Sequence, residues 1–343
     1  MRRTSVVISL AVALTLGAGC GGGGADPDGG ADPVDATIDG SQIGCRATTP
    51  RTPPTEVFVG PSGLETRLQG YIDGAQTSLW IQMYLFTVDS LVSHVIAAHD
   101  RGVDVRVLLD PDHEGNPDAR ATLIAAGVPT RDAPSTFPFA HAKYLVIDGD
   151  TAVITSANFN YGAMDSERNY GAVSRDPEDV ADLAAIFDSD WTQQGFANLD
   201  CTRLIVSPVN ARQRVLELIN SADATLDISV IYLIDSSVRT AVIQAKSRGA
   251  AVRVILADTQ GFPENVDTAT TLTGQGIPVK IMTAMDLHAK LIIADGVAFV
   301  GSENLSTTSL TANREVGVLV TESGPVGVIQ AQFDADWAST TPF

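Results

Sequence analysis

Two short clusters hold most of the side chains able to do chemistry. His141-Ala142-Lys143 and His288-Ala289-Lys290 show one pattern in a chain with five histidines and four lysines. By composition alone a His-x-Lys tripeptide would occur about 0.06 times. Each cluster is followed five residues after its lysine by an aspartate, Asp148 or Asp295, and then by Ser156-x-Asn158 or Ser302-x-Asn304. An imidazole changes charge near neutral pH, so it can attack an electrophile or carry a proton. Lysines and asparagines can hold negative charge that develops beside it. Each cluster has only one histidine, so a mechanism using two imidazoles must bring the clusters together.

The elements that would do this repeat as well. At an offset of 147, Val57–Pro61 lies over Leu204–Pro208, Ser78–Ile81 over Thr225–Ile228, and Arg101–Val107 over Arg248–Val254. Each repeat ends near Asp-Trp, at Trp191 and at Trp337, where the offset is 146. A period this long indicates two homologous α/β halves and not a solenoid. Amphipathic helices are predicted at Leu64–Gly74 and Arg212–Ala222, before apolar strands at Ser78–Phe86 and Thr225–Ile234. Second helices, Ser90–Arg101 and Ser236–Arg248, stop at the glycine of Arg-Gly. Strands at Val103–Leu109 and Val252–Ala257 follow, then short helices ending near Gly127 and Gly276. Hairpins pair Lys143–Ile147 with Ala152–Ile154 and Lys290–Asp295 with Val297–Val300, the second turn being one residue shorter. Alternating strands and helices predict mixed sheets flanked by helices.

The motifs resemble those of the phospholipase D superfamily, His-x-Lys-x4-Asp followed by Gly-Ser-x-Asn, in both copies and over about residues 55–343. The resemblance implies two phospholipase D-type α/β halves packed with pseudo-twofold symmetry around one shared active site. It implies phosphodiester cleavage through a phosphohistidine, with no metal or other cofactor. On that basis His141 is the nucleophile and His288 the general acid and base, although spacing does not distinguish them. Lys143, Lys290, Asn158 and Asn304 would hold the phosphate, with Ser156 and Ser302 close by. Asp148 and Asp295 are expected to be structural, capping their hairpin turns.

The family's downstream glutamate, which orients a histidine, has a clear counterpart only in the second copy, at Glu315. In the first copy the same spacing from Ser156 gives Asn169, an alternative alignment gives Gly171, and Glu167 lies close by. Thr155 replaces the first motif's glycine. Other residues favour plainer readings. His94 and His99 lack the spacing of a helical metal pair, and Asp110–Glu114 around His113 lacks an EF-hand pattern. Tyr84, Phe86, Tyr232, Trp191 and Trp337 read as packing residues. Phe137-Pro138-Phe139 fits either a lipid-facing mouth or core.

Composition narrows the substrates. Residues 1–54 carry four arginines against five aspartates, so −18 of the formal net charge of −19 belongs to residues from 55 onward. This acidity disfavours a broad basic face for gripping nucleic acid. No apolar run reaches the roughly 18–20 residues of a membrane-spanning helix, which excludes a polytopic membrane enzyme. Residues 1–19 read as a signal peptide, and Leu16–Cys20 resembles a lipobox that would lipidate Cys20 in the cell envelope; a plain cleaved signal is the alternative. Cys45 and Cys201 would then remain as a disulfide pair or as two free thiols. Residues 20–54 read as a disordered Gly/Asp/Pro tether, 55–200 as the first domain and 201–343 as the second. Both motifs lie in one chain, so a monomer is expected. Three activities remain: phospholipase D action on glycerophospholipid head groups, metal-independent nuclease action, and binding without catalysis.

Overall fold

The computed structural model describes residues 48–195, 199 and 202–343, so Cys20, Cys45, Cys201 and the signal segment lie outside the described residues. Within Gly44–Phe343, one compact unit, the repeat appears as two mixed sheets. The first half contains β1 (Glu56–Gly60), β2 (Ser78–Met83), β3 (Asp104–Leu109), β4 (Thr130–Asp132), β5 (Lys143–Ile147), β6 (Thr151–Thr155) and β7 (Glu167–Ser174). The second contains β8 (Leu204–Ser207), β9 (Thr225–Val230), β10 (Ala251–Ala257), β11 (Val279–Met282), β12 (Asp286–Leu287), β13 (Lys290–Ala294), β14 (Val297–Gly301), β15 (Glu315–Val320) and β16 (Thr341–Pro342). The first sheet runs β1-β7-β6-β5-β2-β3-β4, and the second β16-β11-β10-β9-β13-β14-β15-β8. Short β12 crosses over to pair with β7 of the other half.

Five helices serve the first half: α1 (Leu64–Gly74), α2 (Asp89–Asp100), α3 (Pro117–Ala125), α4 (Tyr161–Asp165) and α5 (Pro177–Thr192). Their counterparts are α6 (Ala211–Asn220), α7 (Ser236–Arg248), α8 (Glu264–Gly274), α9 (Thr307–Thr311) and α10 (Ser323–Ser339). The Arg-Gly pairs that mark the repeat have a physical role. Gly102 and Gly249 take positive φ after α2 and α7, while Arg101 and Arg248 donate to the terminal carbonyls of α1 and α6.

The strands are apolar on both faces because each face meets a different core. Along β5, Tyr144 and Val146 enter a central core while Leu145 and Ile147 pack under α1 and α2. Along β13, Leu291 and Ile293 enter the same central core while Ile292 and Ala294 face α6 and α7. The central core therefore draws on both halves, with Phe187 of α5 and Phe333 of α10.

Three expectations change. The predicted strands to Phe86 and Ile234 end earlier, at Met83 and Val230, where the chain turns into loops at the site. The carboxylates of Asp148 and Asp295 do not cap their own turns. Asp148 accepts from the backbone of Gln76, Thr77 and Ser78, and Asp295 from that of Asp223, Ala224 and Thr225, tying each hairpin to the entry of the neighbouring strand. Arg51, assigned to the tether, bonds Glu322 through its backbone and Glu178 through its guanidinium. The two hairpin turns do differ by one residue, Asp148–Asp150 against Asp295-Gly296, and this changes the repeat offset from 147 to 146.

Arg203, fully buried where the second half begins, joins the halves. It bonds Asp179 of α5, Thr55 and Ser174 in the first half, and Glu322 before α10 in the second. Removing one side of a buried ion pair costs about 3–5 kcal/mol, because the remaining charge is left desolvated. Arg203→Ala should therefore lower the thermal midpoint by roughly 10 °C, measured by calorimetry.

Candidate active site

Both histidines stand just before the first residue of a central strand, β5 or β13, and each is pinned by the opposite half. The His141 backbone donates to the Arg314 carbonyl at 2.8 Å, and that of His288 to the Arg168 carbonyl at 3.1 Å. The strand register explains this symmetry. Gly60 pairs with Asn169 and Ser207 with Glu315, so Arg168-Asn169 occupies the place of Arg314-Glu315. Asn169, and not Gly171, is thus the residue equivalent to Glu315.

The side chains cross between halves in the same way. His141 Nδ1 lies 2.7 Å from Glu315 Oε2, and His288 Nδ1 lies 3.0 Å from Asn169 Oδ1. Glu315 Oε2 can only accept from the His141 ring, which places that neutral ring's proton on Nδ1 and leaves Nε2 with its lone pair. Ser302 donates to Glu315 and Ser156 to Asn169, each at 2.7 Å. The two serines, expected beside the phosphate, therefore brace the residues that orient the histidines. Ser309 and Asn313 also donate to Glu315. Glu167 is peripheral, 3.7 Å from His288 Nδ1.

Lys143 and Lys290 are buried, and each donates to the carbonyl of its own histidine. Asn158 and Asn304 are nearly buried, with amide oxygens that have no partner. Burial lowers the Lys143 pKa to about 8 despite nearby Glu315 and Glu303, and burial followed by the Lys143 charge depresses Lys290 well below the usual range. Burial takes His141 down to about 4 against the pull of Glu315. His288 is pushed well down by burial and then by Lys290, Lys143 and His141, so the electrostatic fields of the two clusters overlap. For Glu315, burial opposes ionisation, but His141 and Lys143 outweigh it and lower the pKa.

Four residues not assigned to the site by sequence contribute to it. The Tyr84 ring meets His141 edge-on at 4.5 Å and lies 5.1 Å from Lys143 Nζ, and its own pKa is raised to about 12, chiefly by burial. Exposed Phe139 packs on the same ring at 6.1 Å, which favours the mouth reading of Phe137–Phe139. Asp110 accepts from Asp112, His113 and Ala140, so the acidic loop braces the segment entering His141. Burial and then Glu315 raise the Glu303 pKa well above the carboxylate range. An alternation between apolar and polar residues offers no signal for these four. By contrast, His94 pairs with Asp73 on an exposed surface, Trp191 stacks on Phe187, and Trp337 stacks on Phe333. Among the described residues no three His, Cys, Asp or Glu are grouped so as to hold a metal ion.

With a substrate whose leaving group needs no proton, such as bis(p-nitrophenyl) phosphate, kcat/KM should fall below pH about 4 as His141 gains a proton. It should fall again on the alkaline side as the two buried lysines lose theirs, Lys143 at pH about 8. A stopped-assay pH profile reports these free-enzyme values. An acid limb near 6.5 would show that His141 is not desolvated.

Comparison with known proteins agrees with this geometry. Residues 68–191 and 215–337 each match the family described as "Cardiolipin synthase, PLD-like domain". The Probable cardiolipin synthase YwiE of Bacillus subtilis is 27% identical over 57% of this chain and 45% of its own length. The Mitochondrial cardiolipin hydrolase of Danio rerio is 28% identical over 40% of this chain and 63% of its own. The chain thus spans about half to two thirds of the length of these relatives. A phosphatidylserine synthase from Haemophilus influenzae shares the fold, with TM-score 0.65 and 12% identity over 84% of this chain and 87% of that one. A polyphosphate kinase from Porphyromonas gingivalis also shares it, with TM-score 0.65 and 16% identity over 82% of this chain and 46% of that one. With the family matched twice over most of its length, the chain belongs to the phospholipase D superfamily.

Proposed function

We propose that this protein hydrolyses phosphodiesters as a phospholipase D, releasing the head group of glycerophospholipids. The observation that carries this reading is the crossed pair: two histidines from different halves, each oriented by the other half, between two buried lysines. His141 Nε2 would attack phosphorus and form the phosphatidyl–histidine bond. The P–O bond to the head group would break as His288, charged while the anionic phosphodiester lies beside it, delivers its Nε2 proton to the departing oxygen. Water would then attack the intermediate, with His288 taking its proton, releasing phosphatidic acid and freeing His141. Lys143, Lys290, Asn158 and Asn304 would hold the non-bridging oxygens.

The unequal partners support this division of labour. A carboxylate beside His141 balances the positive charge its ring gains on attack, whereas the neutral Asn169 amide does not hold a proton on His288. Lipid is favoured over nucleic acid by the acidic body, because gripping a polyanion takes many cations. The exposed Phe139 at the mouth and the lipid-named relatives support the same choice. We further propose an exported, lipid-anchored monomer, to be tested by Cys20→Ser, which should release it from the membrane fraction.

Purified protein assayed in EDTA should release head groups from vesicles of phosphatidylcholine, phosphatidylethanolamine or cardiolipin while leaving single-stranded DNA and RNA intact. Lys143, Lys290 and a protonated histidine supply the charge the reaction needs. Cleavage of nucleic acid alone, or activity restored only by an added metal ion, would overturn the reading.

A further inference from the structure

The two sides of the site are not alike, and the difference bears on the leaving group. Beside His141 stand Tyr84, Phe139 and His113, with Asp110 already committed to three backbone donors. Beside His288 a cavity of about 360 Å³ opens, with His288 itself in its wall. Its floor includes Phe262, Met282, Met285 and Leu287, and its polar groups include Glu167, Asp258 and Asp286. Asp258 and Asp286 have no Lys or Arg partner among the described residues, and no Lys or Arg lines the cavity, while Glu167 lies 3.7 Å from His288 and its charge also acts on Lys143 and Lys290. The half-buried Phe262 ring, 6.1 Å from that of Tyr232, adds an aromatic face, which attracts cations.

We infer that this cavity receives the departing head group and selects a cationic amino alcohol over a neutral or anionic one. The inference rests on the proposed function and on His288 as the acid. The proton must reach the departing oxygen, so the alcohol has to lie on the His288 side. There, carboxylates and an aromatic face suit an ammonium group attached to a short alcohol. A leaving group with its own phosphate, as in cardiolipin or a nucleic acid strand, would place that anion against the Asp258 and Asp286 carboxylates. The relatives named for cardiolipin therefore do not predict this chain's preferred substrate.

The test uses full-length protein and monomeric dihexanoyl lipids, so that surface binding does not enter. The ratio of kcat/KM for phosphatidylethanolamine to that for phosphatidylglycerol is read in wild type, Asp258→Asn, Asp286→Asn and Asp258→Lys. This ratio does not depend on how much protein is folded. Wild type should favour the ethanolamine lipid at least tenfold, each Asn variant should reduce that preference severalfold, and Asp258→Lys should invert it. A wild type that prefers phosphatidylglycerol, or variants that leave the ratio unchanged, would overturn the inference while phospholipase D activity stands. Release of neither head group, with bis(p-nitrophenyl) phosphate still cleaved, would instead overturn the lipid reading on which it rests.

Discussion

His141→Ala and His288→Ala are each expected to reduce turnover of natural phosphodiesters by at least ~10⁴-fold, with the double variant scarcely slower than either single one. The basis is the crossed geometry: His141 depends on Glu315 from the second half, and His288 on Asn169 from the first. One site has one nucleophile and one acid, and removing either stops the same reaction. A p-nitrophenyl phosphodiester separates the roles, because its leaving group departs without a proton. With it, His288→Ala should still accumulate a phosphohistidine on His141, visible by mass spectrometry of acid-sparing digests, while His141→Ala should form none. An adduct on His288 would reverse the assignment. Half activity in each single variant would mean two independent sites and no shared cleft.

The second large effect should come from the unequal orienting residues. Glu315→Gln keeps the shape beside His141 but removes the charge that balances its ring during attack. By analogy with the loss of a histidine-orienting carboxylate in other enzymes, the cost should be about 10²–10⁴-fold in kcat. The loss should appear with p-nitrophenyl and natural substrates alike, because attack itself is impaired. Asn169→Asp should behave differently. A carboxylate beside His288 would raise its depressed pKa and keep it protonated to higher pH, so the alkaline limb of the profile for natural substrates should move to higher pH while the p-nitrophenyl ester is largely unaffected. Equal effects of both variants on both substrates would count against the division of roles.

Much of this molecule was legible in the chain. The His-x-Lys pairs, the trailing aspartates and the Ser-x-Asn motifs are local patterns, and the 147-residue offset carries them into equivalent places. Helices α1 and α7 lie within a residue of the predicted spans because an amphipathic stripe and a terminal glycine are local signals. Strands β7 and β15, which carry Asn169 and Glu315, were not predicted. Their polar residues meet partners in the other half, so the local pattern does not show a buried strand. The partner of His288 was ambiguous for a related reason. Only strand pairing, Gly60 with Asn169 and Ser207 with Glu315, shows that Asn169 takes the place of Glu315.

The sequence by itself determined the duplicated α/β architecture and the side chains that carry chemistry, which follow from period and spacing along one chain, and its motifs carried the resemblance to the family. Tertiary structure decided which half serves which histidine, what the serines and aspartates hold, and how far the lysines and histidines are desolvated. It also decided that the His288 side opens into a carboxylate-lined cavity while the His141 side is walled by aromatic rings. The physical reason is that hydrogen bonding, burial and charge coupling act through space between residues more than a hundred positions apart. A repeat makes the two halves look alike, and only their packing shows that the two histidines stand in different surroundings.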